Sequence, residues 1–214
     1  MASRIRTIVS LAFIAAALPV AVPAQDATPA AGDAKRGQAL AYTCNGCHAI
    51  SNYKNVYPTY SVPKLHGQRP EYLVSALKAY KSGERSHGTM HSQASSMSEQ
   101  DMTDVAAYLA GPTPLTQSSN DASNAPKAAE VCRTCHGTNG VGITADFPTI
   151  AGQHRDYIVR ALLDYKHGGR KNAIMAPQAA ALTNADIEAL AVWYSAQTPA
   201  LEVVPKKTFA FSSN

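Results

Sequence analysis

Apolar side chains recur at helical spacing in two stretches of the chain that match each other. From Pro70, the positions Leu73, Ala76, Leu77 and Tyr80 fall at i, i+3, i+4 and i+7, and the pattern stops at Gly83. A twin stretch carries Ile158, Ala161, Leu162 and Tyr165 and stops at Gly168. A further helix opens with SEQD at Ser98 and with TNAD at Thr183, both of capping-box type. Met102, Val105 and Leu109 line one face of the first, and Ile187, Leu190 and Tyr194 that of the second. Upstream, Asp33 is placed to cap AKRGQALAYTC, and Pro126 stands near the start of KAAEVC. Nowhere does an apolar/polar alternation run for a strand's length. The pattern predicts an all-α chain with three helices in each half, and loops in GERSHGTM and GGRKNAIM.

The halves are copies. KLHGQRPEYLVSALKAYKSGERSHGTM (64–90) aligns without a gap on TIAGQHRDYIVRALLDYKHGGRKNAIM (149–175). Gly67, Gln68, Tyr72, Tyr80, Arg85 and Met90 return 85 residues later as Gly152, Gln153, Tyr157, Tyr165, Arg170 and Met175. The first half holds three extra residues between His48 and Pro63, in a tyrosine-bearing segment with Tyr53, Tyr57 and Tyr60. Pro, Ser, Asn and Thr crowd 111–127, which is linker composition. The expected organisation is a domain over 26–112, a linker over 113–120, a second domain over 121–200, and a tail, 201–214, without a counterpart in the repeat. Units of this size sit near the lower limit for a self-sufficient core, where a covalent cofactor acts as a staple.

The first residues differ in kind. Arg4 and Arg6 precede an apolar run from Ile8 to Val22, and Val22-Pro23-Ala24 offers small residues before a cut at Gln25. Residues 1–24 therefore read as a secretory signal peptide, and the protein as an exported, periplasmic one. No other segment is apolar enough to span a membrane, and peripheral association with one stays open. The formal charge is +4, but two of the 19 Lys+Arg lie in this leader and 15 Asp+Glu oppose the rest. The remaining balance, about neutral once the acidic groups of a cofactor are added, gives no reason to expect nucleic acid as a partner.

All four cysteines lie in CNGCH (44–48) and CRTCH (132–136). A shared zinc site needs its two CxxC units closer than these, which stand in different copies of a repeat. A redox dithiol belongs in a βαβ setting, and two disulfides leave the following histidines without a task. CxxCH is instead the attachment pattern of c-type haem: two thiols add to the two porphyrin vinyl groups, and the next residue is held under the iron. Two covalent haem c groups follow, on Cys44 and Cys47 and on Cys132 and Cys135, with His48 and His136 as fifth ligands. The sixth ligand decides between a carrier and a gas- or peroxide-binding site. Met90 and Met175 are exact counterparts placed after a helix stop, whereas Met97 and Met102 align with Leu182 and Ile187 and read as core. For the first iron His91, beside Met90, is a rival, and His87 a weaker one. His66, His154 and His167 show no ligand spacing. Pro63 and Pro148 each stand where a backbone carbonyl can accept the Nδ1–H of the proximal histidine.

CxxCH, then P-x-[L/I]-x-G-Q, a helix ending in Y-K-x-G-x-R, Met, and a capped helix ending in A-x-Y, all doubled, resembles the dihaem cytochrome c4 family over about 33–200. The resemblance implies two tandem class I cytochrome c domains about a pseudo-twofold axis, with His48 and Met90 on one iron and His136 and Met175 on the other. It implies a non-enzymatic electron carrier between respiratory partners, a cytochrome bc complex or dehydrogenase on one side and a terminal oxidase on the other. The extra segment and the tail point to the alternative, a cytochrome subunit of a periplasmic dehydrogenase complex such as a flavocytochrome sulfide dehydrogenase. Association into a homodimer is compatible with either. Ala49 stands where the family commonly has glycine, as at Gly137.

Overall fold

A computed structural model describes residues 31–118 and 122–206. The signal-peptide reading of 1–24, part of the linker and the end of the tail lie outside the described residues. Among these, all regular structure is helical, with only isolated bridges besides, so the all-α expectation is borne out. The first half holds α1 (Ala34–Leu40), α2 (Tyr42–His48), α3 (Pro70–Ser82), α4 (Gly88–Ser95) and α5 (Glu99–Ala110). The second holds α6 (Ala129–His136), α7 (Arg155–Lys166), α8 (Met175–Ala180) and α9 (Asn184–Ser195). The single helix expected before the first cysteine pair is broken at Ala41 into two. The two stretches expected as loops end in short helices, α4 and α8, with the methionines in their first turns. Helices of eight and six residues show too few apolar repeats to be seen in a sequence.

Two cores follow from the predicted faces. Leu73 of α3 packs with Val105, Ala106 and Leu109 of α5, and Ile158 of α7 with Leu190, Ala191 and Tyr194 of α9. Both capping boxes form, at Ser98 and Thr183. Met102 is buried and Met97 packs against the first core, as their alignment with aliphatic residues required. In the first half α1 crosses α5 so closely that a Cβ on Gly37 would stand 1.9 Å from the Asp104 carbonyl oxygen.

Asp104 is the polar hub of that crossing. Buried to 1 % exposure, it accepts from the Asp33 N–H (2.8 Å), from Gln100 Nε2 (2.9 Å) and from the Arg36 guanidinium. Burial pushes its carboxyl up, but these donors outweigh it and hold the pKa below the ordinary value. A depressed carboxylate stabilises the fold above its ordinary pKa and loses that contribution as pH falls below that value and through the lowered one. Asp104→Ala is expected to cost on the order of 2 kcal/mol in denaturant unfolding, moderated because Arg36 can turn to water.

The halves meet about a pseudo-dyad that the backbone itself marks. Arg85 and Arg170, each the other's counterpart, form an antiparallel bridge. It is flanked by Ser86 N–H to Gly169 O (2.8 Å) and Lys171 N–H to Glu84 O (2.7 Å), two bonds exchanged by the 85-residue offset. Gln68 donates to Thr149 O and accepts from its N–H, both at 2.8 Å. Its twin Gln153 does the same to Lys64, at 3.0 Å each way.

Two chain segments cross between the halves. The linker's Gln117 donates to Val141 O of the second half. The tail returns to the first: His66 and Glu202 exchange backbone bonds at 3.0 Å, and Val204 N–H donates to the His48 carbonyl (3.1 Å). Val204 is a member of the first core. Although the tail has no counterpart by identity, it does for the first half what the linker does for the second.

The extra segment is a hairpin-like finger, with Val62 N–H to Tyr53 O and Asn55 N–H to Tyr60 O, both 2.9 Å. Ser61 N–H and Oγ, and Lys54 Nζ, all bind Asp156 of the second half. Ala49 is tolerated because the chain leaves α2 there with φ −105°, heading into the finger. At Gly137 φ is +74°, and a Cβ would meet Val141 O at 2.3 Å, so only glycine fits.

Candidate haem sites

Each CxxCH closes a helix. In α2 and α6 the two cysteines stand at i and i+3 on the last turns, and the histidine is the final helical residue. The expected carbonyl bonds are present: His48 Nδ1 donates to Pro63 O at 2.9 Å, and His136 Nδ1 to Pro148 O at 2.8 Å. These bonds fix the tautomer and leave Nε2 as a bare lone pair. Burial lowers the pKa of both rings, so both are neutral at physiological pH, the form a metal needs.

Cys44, Cys47, Cys132 and Cys135 stand half-buried beside them and form no disulfide with one another. Burial pushes the thiols of Cys44 and Cys132 up, opposite to the activated thiolate of a redox dithiol. No cluster of three or more His, Cys, Asp or Glu suited to a metal ion occurs among the described residues. The donor set therefore fits haem, with one imidazole and two thiols per site, rather than zinc.

Met90 and Met175 both line the cavity that Cys44, Cys47, Cys132, His48 and His136 also line. Each sits in a capped turn. Met90 N–H donates to His87 Nδ1 (3.2 Å), and Met175 N–H to Asn172 Oδ1 (2.9 Å). His91 is exposed, with Nδ1 donating to the Tyr80 carbonyl at 2.8 Å, and it does not line the cavity. His87 lines it, but both its ring nitrogens are engaged, Nδ1 by Met90 and Nε2 by Asn55 Oδ1 (3.2 Å). The other three do not line the cavity: His66 pairs with the tail through its backbone, and His154 and His167 flank α7.

The two sites are one space. A single cavity with about 1800 Å³ of empty volume, mouths included, is lined by Cys44, His48 and Met90 and by Cys132, His136 and Met175. At the dyad it is bordered by Arg85, Arg170 and four tyrosines, Tyr72, Tyr80, Tyr157 and Tyr165. Arg85 lies 4.6 Å from the Tyr80 ring centre and Arg170 5.5 Å from that of Tyr165, a twinned stacking. Arg85 donates to Tyr157 Oη (2.6 Å) and Tyr72 Oη (3.3 Å), yet its buried Nε has no partner, and no carboxylate pairs with it among the described residues. A buried guanidinium without a counter-charge is costly. The propionate carboxylates that haem brings are anions of the right kind, so the residues present fit the group. Arg85, Arg170, Gln68 and Gln153 were visible as repeated residues; their task was not, because it exists only where the two copies meet.

The comparisons agree with this geometry. Residues 34–111 match the family model "Cytochrome c", and 123–193 the model "Cytochrome C oxidase, cbb3-type, subunit III". Cytochrome c4 of Pseudomonas aeruginosa is 37 % identical over 178 residues, 75 % of this chain and 87 % of that protein. The chain belongs to the cytochrome c4 family. The crystal structure of reduced recombinant cytochrome c4 from Pseudomonas stutzeri superposes with a TM-score of 0.63 at 32 % identity, covering 78 % of this chain and all of that one. A thiosulfate dehydrogenase electron acceptor of Stutzerimonas stutzeri is 29 % identical, over 72 % of this chain and 76 % of that protein.

As a cytochrome c4, the protein is a dihaem electron-transfer cytochrome of two cytochrome c domains, with one covalent haem c for each CxxCH motif. No helix among the described residues is long and apolar enough to cross a membrane.

Proposed function

We propose that the protein is a periplasmic carrier of single electrons between respiratory partners, from a cytochrome bc complex or a dehydrogenase to a terminal oxidase. Cys44 and Cys47, and Cys132 and Cys135, hold the haems as thioethers; His48 and Met90 ligate the first iron, His136 and Met175 the second. The haem supplies an iron that alternates between ferric and ferrous states. The chain's part would be to offer each iron one histidine and one methionine, leaving no place for small ligands, and to exclude water with the apolar lining. The observation that supports the reading is that residues of both CxxCH sites, with Met90 and Met175, line one cavity, so that the two haems would share one space inside the protein. Docking with partners is then weak and small in area, as electron-transfer encounters are.

The test is the spectrum of the oxidised holoprotein with haem counted by pyridine haemochrome, followed by potentiometry. The weak red band of methionine sulfur on ferric iron is expected at two-haem intensity, with two positive potentials. A one-haem band, or potentials well below zero, would refute the double His/Met assignment.

A second reading rests on the likeness to the thiosulfate dehydrogenase electron acceptor. Here the protein serves as the cytochrome partner of a periplasmic dehydrogenase. Stable co-purification with such an enzyme, and reduction by it faster than by a bc complex, distinguishes the two.

A further inference from the structure

The finger between His48 and Pro63 and the ring of His87 form a contact chain that ends on Met90. We infer that His87, held by Asn55, is the positioning residue for the axial methionine of the first haem, and that this is the finger's role. The inference rests on the reading that Met90 ligates that iron.

The helix that presents Met90 cannot hold itself. It has eight residues and opens with Gly88, the poorest helix former after proline, and an isolated helix of this length is unstable in water. Its first turn is held by the His87 ring, whose Nδ1 accepts the Met90 N–H at 3.2 Å. An acceptor at Nδ1 puts the ring proton on Nε2, which points to Asn55 Oδ1 at 3.2 Å. Asn55 is pinned in turn by its own N–H to Tyr60 O (2.9 Å). Tyr60 and Tyr80 meet the His87 ring edge-on, with centroids 6.4 and 6.2 Å away. The base of the finger is tied to the second half by Ser61 on Asp156.

The second half shows the same task done more simply. His87 becomes Asn172 under the 85-residue offset, and Asn172 Oδ1 accepts from both Ile174 N–H (3.0 Å) and Met175 N–H (2.9 Å). A compact asparagine caps well unaided. The bulkier imidazole needs a partner on its far nitrogen to stay in place, and the three additional residues of the first half build the hairpin that supplies one. Insertion and exchange of Asn for His are thus parts of one arrangement, found only around the first haem.

The experiment is an imidazole titration of the oxidised holoprotein, following loss of the red methionine band, with helix content and haem stoichiometry measured on each variant. Met90→Ala identifies the first haem's share by removing half the band. His87→Ala is expected to lose that share at about five-fold lower imidazole, the equivalent of roughly 1 kcal/mol for a lost cap. His87→Asn is expected within two-fold of wild type, since it copies Asn172. Asn55→Ala should fall between them, and the second haem's share should not move. A His87→Ala protein that titrates like wild type overturns the inference. So does a His87→Asn protein as weak as the alanine variant, which would make the ring's packing, not its capping, the important feature. If His87→Ala fails to fold, the His87→Asn and Asn55→Ala pair still decides. If Met90→Ala leaves the band whole, the ligand assignment itself is wrong, a failure distinct from that of the cap.

Discussion

Replacing Met175 by alanine is expected to remove half of the red methionine band and to lower one of the two reduction potentials by on the order of 0.2 V, within the roughly 0.8 V over which axial ligands set haem potentials. Met175 lines the cavity and is the one methionine of its half, and its turn is fixed by the Asn172 cap. Methionine sulfur favours ferrous iron, so its loss stabilises the ferric state and the potential falls. The other haem, which His48 and Met90 would hold under the proposed assignment, should keep its potential to within the small effect of a changed neighbour. The opened iron should then take up imidazole or cyanide at low concentration. Spectroelectrochemistry reads both halves of the result at once. A variant with an unchanged band would show that Met175 is a lining residue only.

Ending the chain at Ala200 is expected to destabilise the first domain by on the order of 2 kcal/mol, although the residues removed follow the second in sequence. Val204 is 2 % exposed, and burying a side chain of this size contributes about 1.5–3 kcal/mol, whereas Leu201 is tied to the second half by its N–H to Ala151 O (2.9 Å). Val204 belongs to the core built on Leu73, Val105 and Leu109, and its N–H is bound by the carbonyl of His48, the first proximal residue. Removing the strap should therefore loosen the first haem before the second. Denaturant unfolding followed separately at the two haem sites, with the point variant Val204→Ala as a milder control, measures this. Equal losses in both domains would show that the tail acts on the interface as a whole.

Much of this could be read from the residues alone. Helix faces such as Leu73–Tyr80 and the capping boxes at Ser98 and Thr183 are local: the side chains that decide them lie within one or two turns of each other. The haem motifs are equally local, since two thiols and an imidazole on one helix end need no distant partner to be recognised. Even the proximal hydrogen bonds to Pro63 and Pro148 were foreseeable, because the same proline recurs before the same Gly-Gln. The methionine-bearing helices were not, as α4 and α8 are too short to show a period and exist through capping and tertiary contact.

What the sequence by itself determined is therefore the all-α class, the doubling and the two covalent haems, each written in residues near one another along the chain. Only the tertiary structure decided how the copies meet. It set Arg85 against Arg170 on the dyad, crossed Gln68 and Gln153 onto the opposite half, and returned the tail to the first core. It also turned His91 away from the cavity and His87 into a cap. These contacts join residues 81 to more than 100 positions apart or depend on side-chain direction, and no local pattern encodes which of two similar faces will find the other.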